Sequence, residues 1–186
     1  MNIALIGYGK MGKIIEEIAI SRGHVISVKC DIANPIEEAD LSKTDLAIEF
    51  TAPGVAVKHI EYCLNSNIPI VVGTTAWNDD LPLVKDLVLR QNGSLLYSSN
   101  FSIGVNIFFD INRRLSKLMS GHSEYNVTIE ETHHTHKLDA PSGTAVTIAN
   151  DILFENESIN SWVHNEGSAP TTNKGQLGVT SFRKEK

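Results

Sequence analysis

The sequence predicts an α/β protein whose first hundred residues form a doubly wound parallel sheet and whose remainder forms a smaller α+β domain. Two observations carry this. Strand-like apolar runs alternate with amphipathic helical runs up to about residue 100, which is the signature of strands joined by helical crossovers. Beyond that point the pattern changes to one long helix followed by a polar, less regular stretch. The boundary falls near Asn100–Gly104, giving domains of residues 1–102 and 103–186.

Each element follows from its pattern. Asn2–Ile6, Val25–Cys30, Leu46–Phe50, Ile68–Val72 and Ser94–Tyr97 are predicted strands. Near-continuous apolar runs such as Ile68, Ile70, Val71 and Val72 suit strands covered on both faces. Met11–Ser21 places Ile14, Ile15, Ile18 and Ala19 at helical spacing, with Gly23 as a stop signal. Val55–Asn65 and Leu81–Gln91 are further helices. In the second half, Ile103–Met119 predicts one long helix, with Val105, Ile107, Phe108, Ile111, Leu115 and Leu118 along it. Tyr125–Glu131 alternates like a half-buried strand, Ser142–Phe154 predicts a helix, Asn156–Gly175 a polar loop, and Leu177–Arg183 a last strand.

Composition narrows the function. Hydrophobic residues at 41% and charged residues at 20% are ordinary for a soluble globular chain. No apolar run approaches the roughly 18 residues of a membrane helix, and the N-terminus is a buried strand in place of a signal peptide. Cys30 and Cys63 lack motif spacing, so neither a disulfide framework nor a zinc site is expected, and a cytoplasmic setting fits. The net charge of −6 argues against nucleic-acid or membrane-surface binding, so an anionic ligand must find a local positive site.

Gly7-Tyr8-Gly9-Lys10-Met11-Gly12 follows the first strand and opens the first helix. In that context the glycines make a dinucleotide fingerprint of Rossmann type: Gly7 for the turn, Gly9 for close approach of pyrophosphate, Gly12 for helix packing. The helix N-terminus supplies amide donors for phosphate. Asp31 lies about 20 residues further on, where a carboxylate accepts from ribose hydroxyls. It favours NADH over NADPH, because Ile32 follows where an arginine could bind a 2′-phosphate and only Lys29 and Lys10 are nearby cations. Gly73-Thr74-Thr75 and Ser98-Ser99-Asn100-Phe101 follow the fourth and fifth strands, at the carboxyl ends where such sheets bind ligands. As turn residues they have an equally ordinary explanation.

The segment Glu130–Ala145 holds His133, His134, His136 and Lys137 beside Pro141-Ser142-Gly143-Thr144. Lys137 can neutralise a carboxylate as a point charge. Gly143 and Thr144 open a helix and can offer free amides to a second carboxylate. Histidine is the side chain best suited to exchange protons at neutral pH. No metal is expected, since neighbouring histidines on an extended segment point to opposite faces.

These pieces, with Asn100-Phe101-Ser102-Ile103-Gly104-Val105-Asn106, resemble the 4-hydroxy-tetrahydrodipicolinate reductase (dihydrodipicolinate reductase) family, in its order and along the whole chain. The resemblance implies NAD(P)H-dependent reduction of (2S,4S)-4-hydroxy-2,3,4,5-tetrahydrodipicolinate to tetrahydrodipicolinate with loss of water, in lysine biosynthesis through diaminopimelate. It implies a hinge near Phe101–Gly104 and a second domain that binds a small dicarboxylate and builds a homotetramer. His133 then corresponds to the general acid/base and Lys137 to a substrate-binding proton donor. His134, Gly143 and Thr144 bind substrate carboxylates; Gly7–Gly12, Asp31, Gly73–Thr75 and Ser98–Phe101 bind cofactor. Many members carry one more residue in the first turn, and members continue for several dozen residues past Lys186, so the second domain is expected to be incomplete here. Two other functions fit parts of the chain: another dehydrogenase of amino-acid metabolism, such as one acting on homoserine, which leaves His133–Thr144 unexplained, and a nucleotide-binding module without catalysis.

Overall fold

The computed structural model describes residues 1–137 and 139–185; Leu138 and Lys186, both within the expected second domain, lie outside the described residues. The chain divides into two compact units, Met1–Ser99 and Asn100–Lys186.

The first unit alternates β1 (Asn2–Ile6), α1 (Lys10–Ser21), β2 (Val25–Cys30), β3 (Leu46–Glu49), α2 (Pro53–Asn65), β4 (Ile70–Val72), α3 (Leu81–Arg90) and β5 (Leu95–Tyr97). All pairings are parallel, in the order β2-β1-β3-β4-β5. The expected doubly wound sheet is therefore present, and its direction of winding reverses between β1 and β3. Alternation along β1 serves two cores. Ala4 and Ile6 join Ala47, Ile70 and Val72 beneath Ala56, Ile60 and Cys63 of α2 and Val84 of α3. Ile3 and Leu5 pack with Ile15 and Ala19 of α1. Coverage of both faces holds for the centre of the sheet and fails at its rim, where Leu96 of β5 is 57% exposed. Both cysteines are buried free thiols; burial pushes Cys30 up to about 11 and Cys63 up to about 12, so neither supplies a thiolate.

The second unit contains α4 (Ile103–Met119), β6 (Thr128–His134), α5 (Gly143–Glu155), β7 (Ser161–Glu166) and β8 (Gln176–Lys184). Its sheet has the order β6-β8-β7, again parallel. Ala145, Ala149 and Ile152 of α5 cover Leu177 and Val179 of β8 with Ile129 of β6 and Trp162 of β7. Pro170 and Thr172 pack beside Gly178 of β8.

Two expectations are corrected here, for β7 and for β6, while α4 spans the expected residues. The stretch expected as loop contains β7, whose partly exposed Ser-Trp-Val-His-Asn-Glu sequence is that of an edge strand. The sixth strand runs Thr128–His134, three residues later than expected, because Tyr125 and Val127 extended the apolar pattern but lie exposed. In α4 it is Phe109 and Ser116 that are buried, while Asn112 donates to the Ile148 carbonyl of α5 at 3.2 Å. Ile107, Phe108, Ile111, Leu115 and Leu118 are exposed.

Candidate functional site

In the first unit the carboxyl ends of β1, β3, β4 and β5 share one edge, so their following loops lie together. Gly7 has φ +96°, and a Cβ there would overlap the Phe50 carbonyl at the end of β3. A Cβ on Gly12 would overlap the Gly7 carbonyl. Gly9, by contrast, has no atom within 4 Å of a Cβ position, and as N-cap of α1 it provides no side chain to occupy the first amides. This leaves the helix start open to an anion, which is the fit a pyrophosphate requires.

The other residues predicted at this edge have definite places. The Tyr8 hydroxyl donates to Glu16, and Lys29 donates to the same carboxylate at 3.1 Å while its ammonium stands 4.7 Å over the Tyr8 ring. Lys10 and Met11 begin α1 with exposed side chains. Asp31 Oδ1 accepts the backbone amides of Ala33 and Asn34, both at 2.9 Å, and the Asn34 amide first of all holds its carboxyl below the usual range. It is thus a fixed, ionised carboxylate at the end of β2, and Ile32 beside it is fully exposed. Thr74 is buried: its hydroxyl accepts from the Thr51 amide at 2.7 Å and its carbonyl from Trp77 Nε1 at 2.7 Å. Thr75 is exposed, and Ser98 N donates to the Val72 carbonyl at 3.4 Å, with Ser99 following. Asn100 and Phe101 fall in the second unit, where Asn100 Oδ1 accepts from Ser102 N at 2.8 Å.

Sequence reasoning missed the β3 end. Phe50 meets both Gly7 and Gly73, and Thr51 joins Thr74. Glu49, fully buried, accepts from the Thr51 hydroxyl and lies 3.5 Å from His59 Nδ1 of α2. The available signal was position, since β3 ends beside β1 at the reversal point where these sheets take ligands.

In the second unit a cavity of about 250 Å³ is lined by His133, Glu131, Ser142 and Thr144, among others. Strand alternation puts Ile129, Glu131 and His133 on one face of β6, while Glu130, Thr132 and His134 are exposed on the other. The structure thus joins His133 to the start of α5 and leaves His134 on the opposite face, with its ring 6.2 Å from that of His136. Glu131 is the hub. Its Oε1 accepts from Ser142 N at 2.8 Å and Ser181 Oγ at 2.6 Å; its Oε2 accepts from the Ser142 hydroxyl and stands 3.2 Å from His133 Nε2. Burial alone would raise this carboxyl, but the bonds from Ser142, Ser181 and His133 together outweigh it and bring it down to about 2.

Ser142 caps α5 by accepting from Ala145 N at 3.1 Å. Gly143 and Thr144, the first two residues of α5, have no acceptor for their amides within the helix. Lys137 donates to both oxygens of Asp139, at 2.7 and 2.9 Å. From β8, Arg183 donates to the carbonyls of Lys137 at 3.2 Å and Asp139 at 2.7 Å, fixing the loop through its backbone. Glu131, Ser181 and Arg183 were not foreseen as part of the site. Among the described residues no cluster of three or more His, Cys, Asp or Glu could hold a metal ion, and no helix is long and apolar enough to cross a membrane.

A Rossmann-type nucleotide sheet followed by a second unit with an imidazole, an ammonium and a free helix start defines the class: a pyridine-nucleotide-dependent oxidoreductase. Comparison with known proteins makes this specific. The N-terminal region of dihydrodipicolinate reductase matches residues 1–101 and its C-terminal region matches residues 104–186. The chain belongs to the dihydrodipicolinate reductase family. It is 46% identical over 164 residues to a 4-hydroxy-tetrahydrodipicolinate reductase of Christiangramia forsetii, covering 87% of this chain and 68% of that protein. A protein of the same name from Neisseria meningitidis serogroup C is 33% identical over 132 residues, 70% of this chain and 48% of that one. The chain thus spans about half to two thirds of the length of these relatives. The fold matches a dipicolinate-bound dihydrodipicolinate reductase from Paenisporosarcina sp. TG-14, with a TM-score of 0.63 at 22% identity over 98% of this chain and 79% of that one.

Proposed function

We propose that this protein is a 4-hydroxy-tetrahydrodipicolinate reductase, reducing a cyclic hydroxy-dicarboxylic imine with NAD(P)H and releasing water. The observation that carries the reading is the Glu131 hub, which seats a candidate acid/base and an anion-binding helix start on one cavity. Bound reduced nicotinamide supplies the hydride. In balance, C4 gains that hydride, one proton is consumed, and the hydroxyl leaves as water.

His133 exchanges the proton, and the amides of Gly143 and Thr144 receive one substrate carboxylate at the positive end of α5. Lys137 delivers a proton and binds substrate; the pairing of its ammonium with both oxygens of Asp139 supports its suitability for a carboxylate. His134 faces away from this cavity on the other side of β6, so the carboxylate contact that the resemblance implies for it is left out of the proposal. Gly7–Gly12, Gly73–Thr75 and Ser98–Phe101 hold the nucleotide, with NADH preferred. Two features support that preference: Asp31 is a fixed carboxylate suited to ribose hydroxyls, and Lys29 is engaged with Glu16 and Tyr8, which leaves Lys10 as the cation for a 2′-phosphate. The protein works in the cytoplasm as a homotetramer.

The test is oxidation of NADH by the full-length protein with and without hydroxy-tetrahydrodipicolinate. Substrate-dependent oxidation is expected, faster with NADH than NADPH, and Asp31→Ser should narrow the difference. Nucleotide binding without turnover would overturn the reading in favour of a non-catalytic module.

A further inference from the structure

The hydrogen-bond partners of Glu131 fix the direction of every proton around it. The hydroxyl of Ser142 accepts from Ala145 N at 3.1 Å, so its own proton is free to point at Glu131 Oε2. Ser181 stands opposite Glu131 in the β6–β8 register, and its hydroxyl lies 2.6 Å from Oε1. A second neighbour of that hydroxyl is His164 Nε2 of β7, at 3.0 Å. With the Ser181 proton given to Glu131, the remaining role of Ser181 Oγ is to accept from His164 Nε2–H. The Ser142 amide can only donate. A carboxylate surrounded by donors in this way meets His133 Nε2, at 3.2 Å, through an N–H. A neutral imidazole has one N–H, so its Nδ1 keeps the lone pair.

We propose that Glu131 is a positioning residue for the reduction: it holds His133 as the Nε2–H tautomer, so that Nδ1 is the atom exchanging a proton with substrate. The same carboxylate holds the start of α5, so one side chain sets both the proton donor and the carboxylate-binding amides. The low pKa of about 2 agrees with this, since Glu131 stays ionised throughout the neutral range and exchanges no proton itself. Its catalytic meaning rests on the reductase reading; the tautomer itself does not.

The experiment is nitrogen-15 NMR of histidine-labelled full-length protein at about pH 8, above the usual imidazole range, with His133 assigned by its loss in His133→Gln. Expected is a protonated Nε2 and an unprotonated Nδ1 in the wild-type protein, a measurement that needs no variant at position 131. Glu131→Gln should mix the tautomers and lower kcat at least ~10-fold, a part of the usual acid–base contribution. Protonated Nδ1 in the wild type overturns the proposal, as does an unchanged tautomer in Glu131→Gln. Turnover of the wild-type protein is measured alongside. The expected tautomer without turnover upholds the network and overturns the reductase reading instead.

Discussion

The low pKa of Glu131 makes the second unit sensitive to acid in a calculable way. The carboxyl sits at about 2 in the folded protein against an ordinary value of 4.5, with only 10% of its side chain exposed. Well above pH 4.5 it is ionised in both folded and unfolded chains, and the stabilisation is complete. As pH falls through 4.5 the unfolded chain takes up the proton first, so stability declines until both states are protonated below pH 2. At about 1.4 kcal/mol for each pH unit separating the two values, the loss amounts to about 3 kcal/mol. The assay is urea unfolding followed by Trp162 fluorescence in a Trp77→Phe background, so that only the second unit reports, at pH 7, 4 and 3. The wild-type protein should lose stability relative to Glu131→Gln over that range, with the difference between them shrinking towards pH 2. A difference that stays constant with pH would refute the claim that Glu131 is held ionised by its neighbours.

Three further outcomes are expected. Gly12→Ala places a methyl against the Gly7 carbonyl; calorimetry should show NADH binding at least ~10-fold weaker, the scale of a 1–3 kcal/mol overpacking strain. Arg183→Ala frees the Lys137 and Asp139 carbonyls, and steady-state kinetics should show KM for the dicarboxylate rising about 10-fold with a smaller change in kcat, in line with hydrogen bonds from a charged group. Lys137→Ala should lower kcat at least ~10²-fold, and Lys137→Arg should restore substrate binding more than turnover, because guanidinium keeps its proton.

The first unit was legible because its elements are defined by local pattern. Asn2–Ile6 and Val25–Cys30 are found at the expected residues, and the glycine fingerprint opens α1 as its spacing requires. What escaped was what depends on pairing across the chain. Glu131 and Ser181 are distant in sequence and meet only through the β6–β8 register. His133 and His134 are equivalent in composition and distinguishable only once the strand containing them is placed correctly. β7 escaped because four of its six residues, Ser161, His164, Asn165 and Glu166, are polar or charged side chains suited to an edge. The outward stripe of α4 escaped for the opposite reason: apolar periodicity marks a helix but does not say which face its own unit covers.

The contact of Phe50 with two glycines ties together loops that belong to different strands. Gly73 is limited by the Phe50 ring, whereas Gly7 is limited by the Phe50 carbonyl and by its own positive φ. The two positions therefore differ in evolutionary freedom. A lineage that exchanges Phe50 for a smaller side chain can place alanine at 73, so those two positions should change together. Position 7 gains nothing from that exchange, since every residue at 50 brings the same carbonyl, and it stays glycine whatever its neighbour becomes.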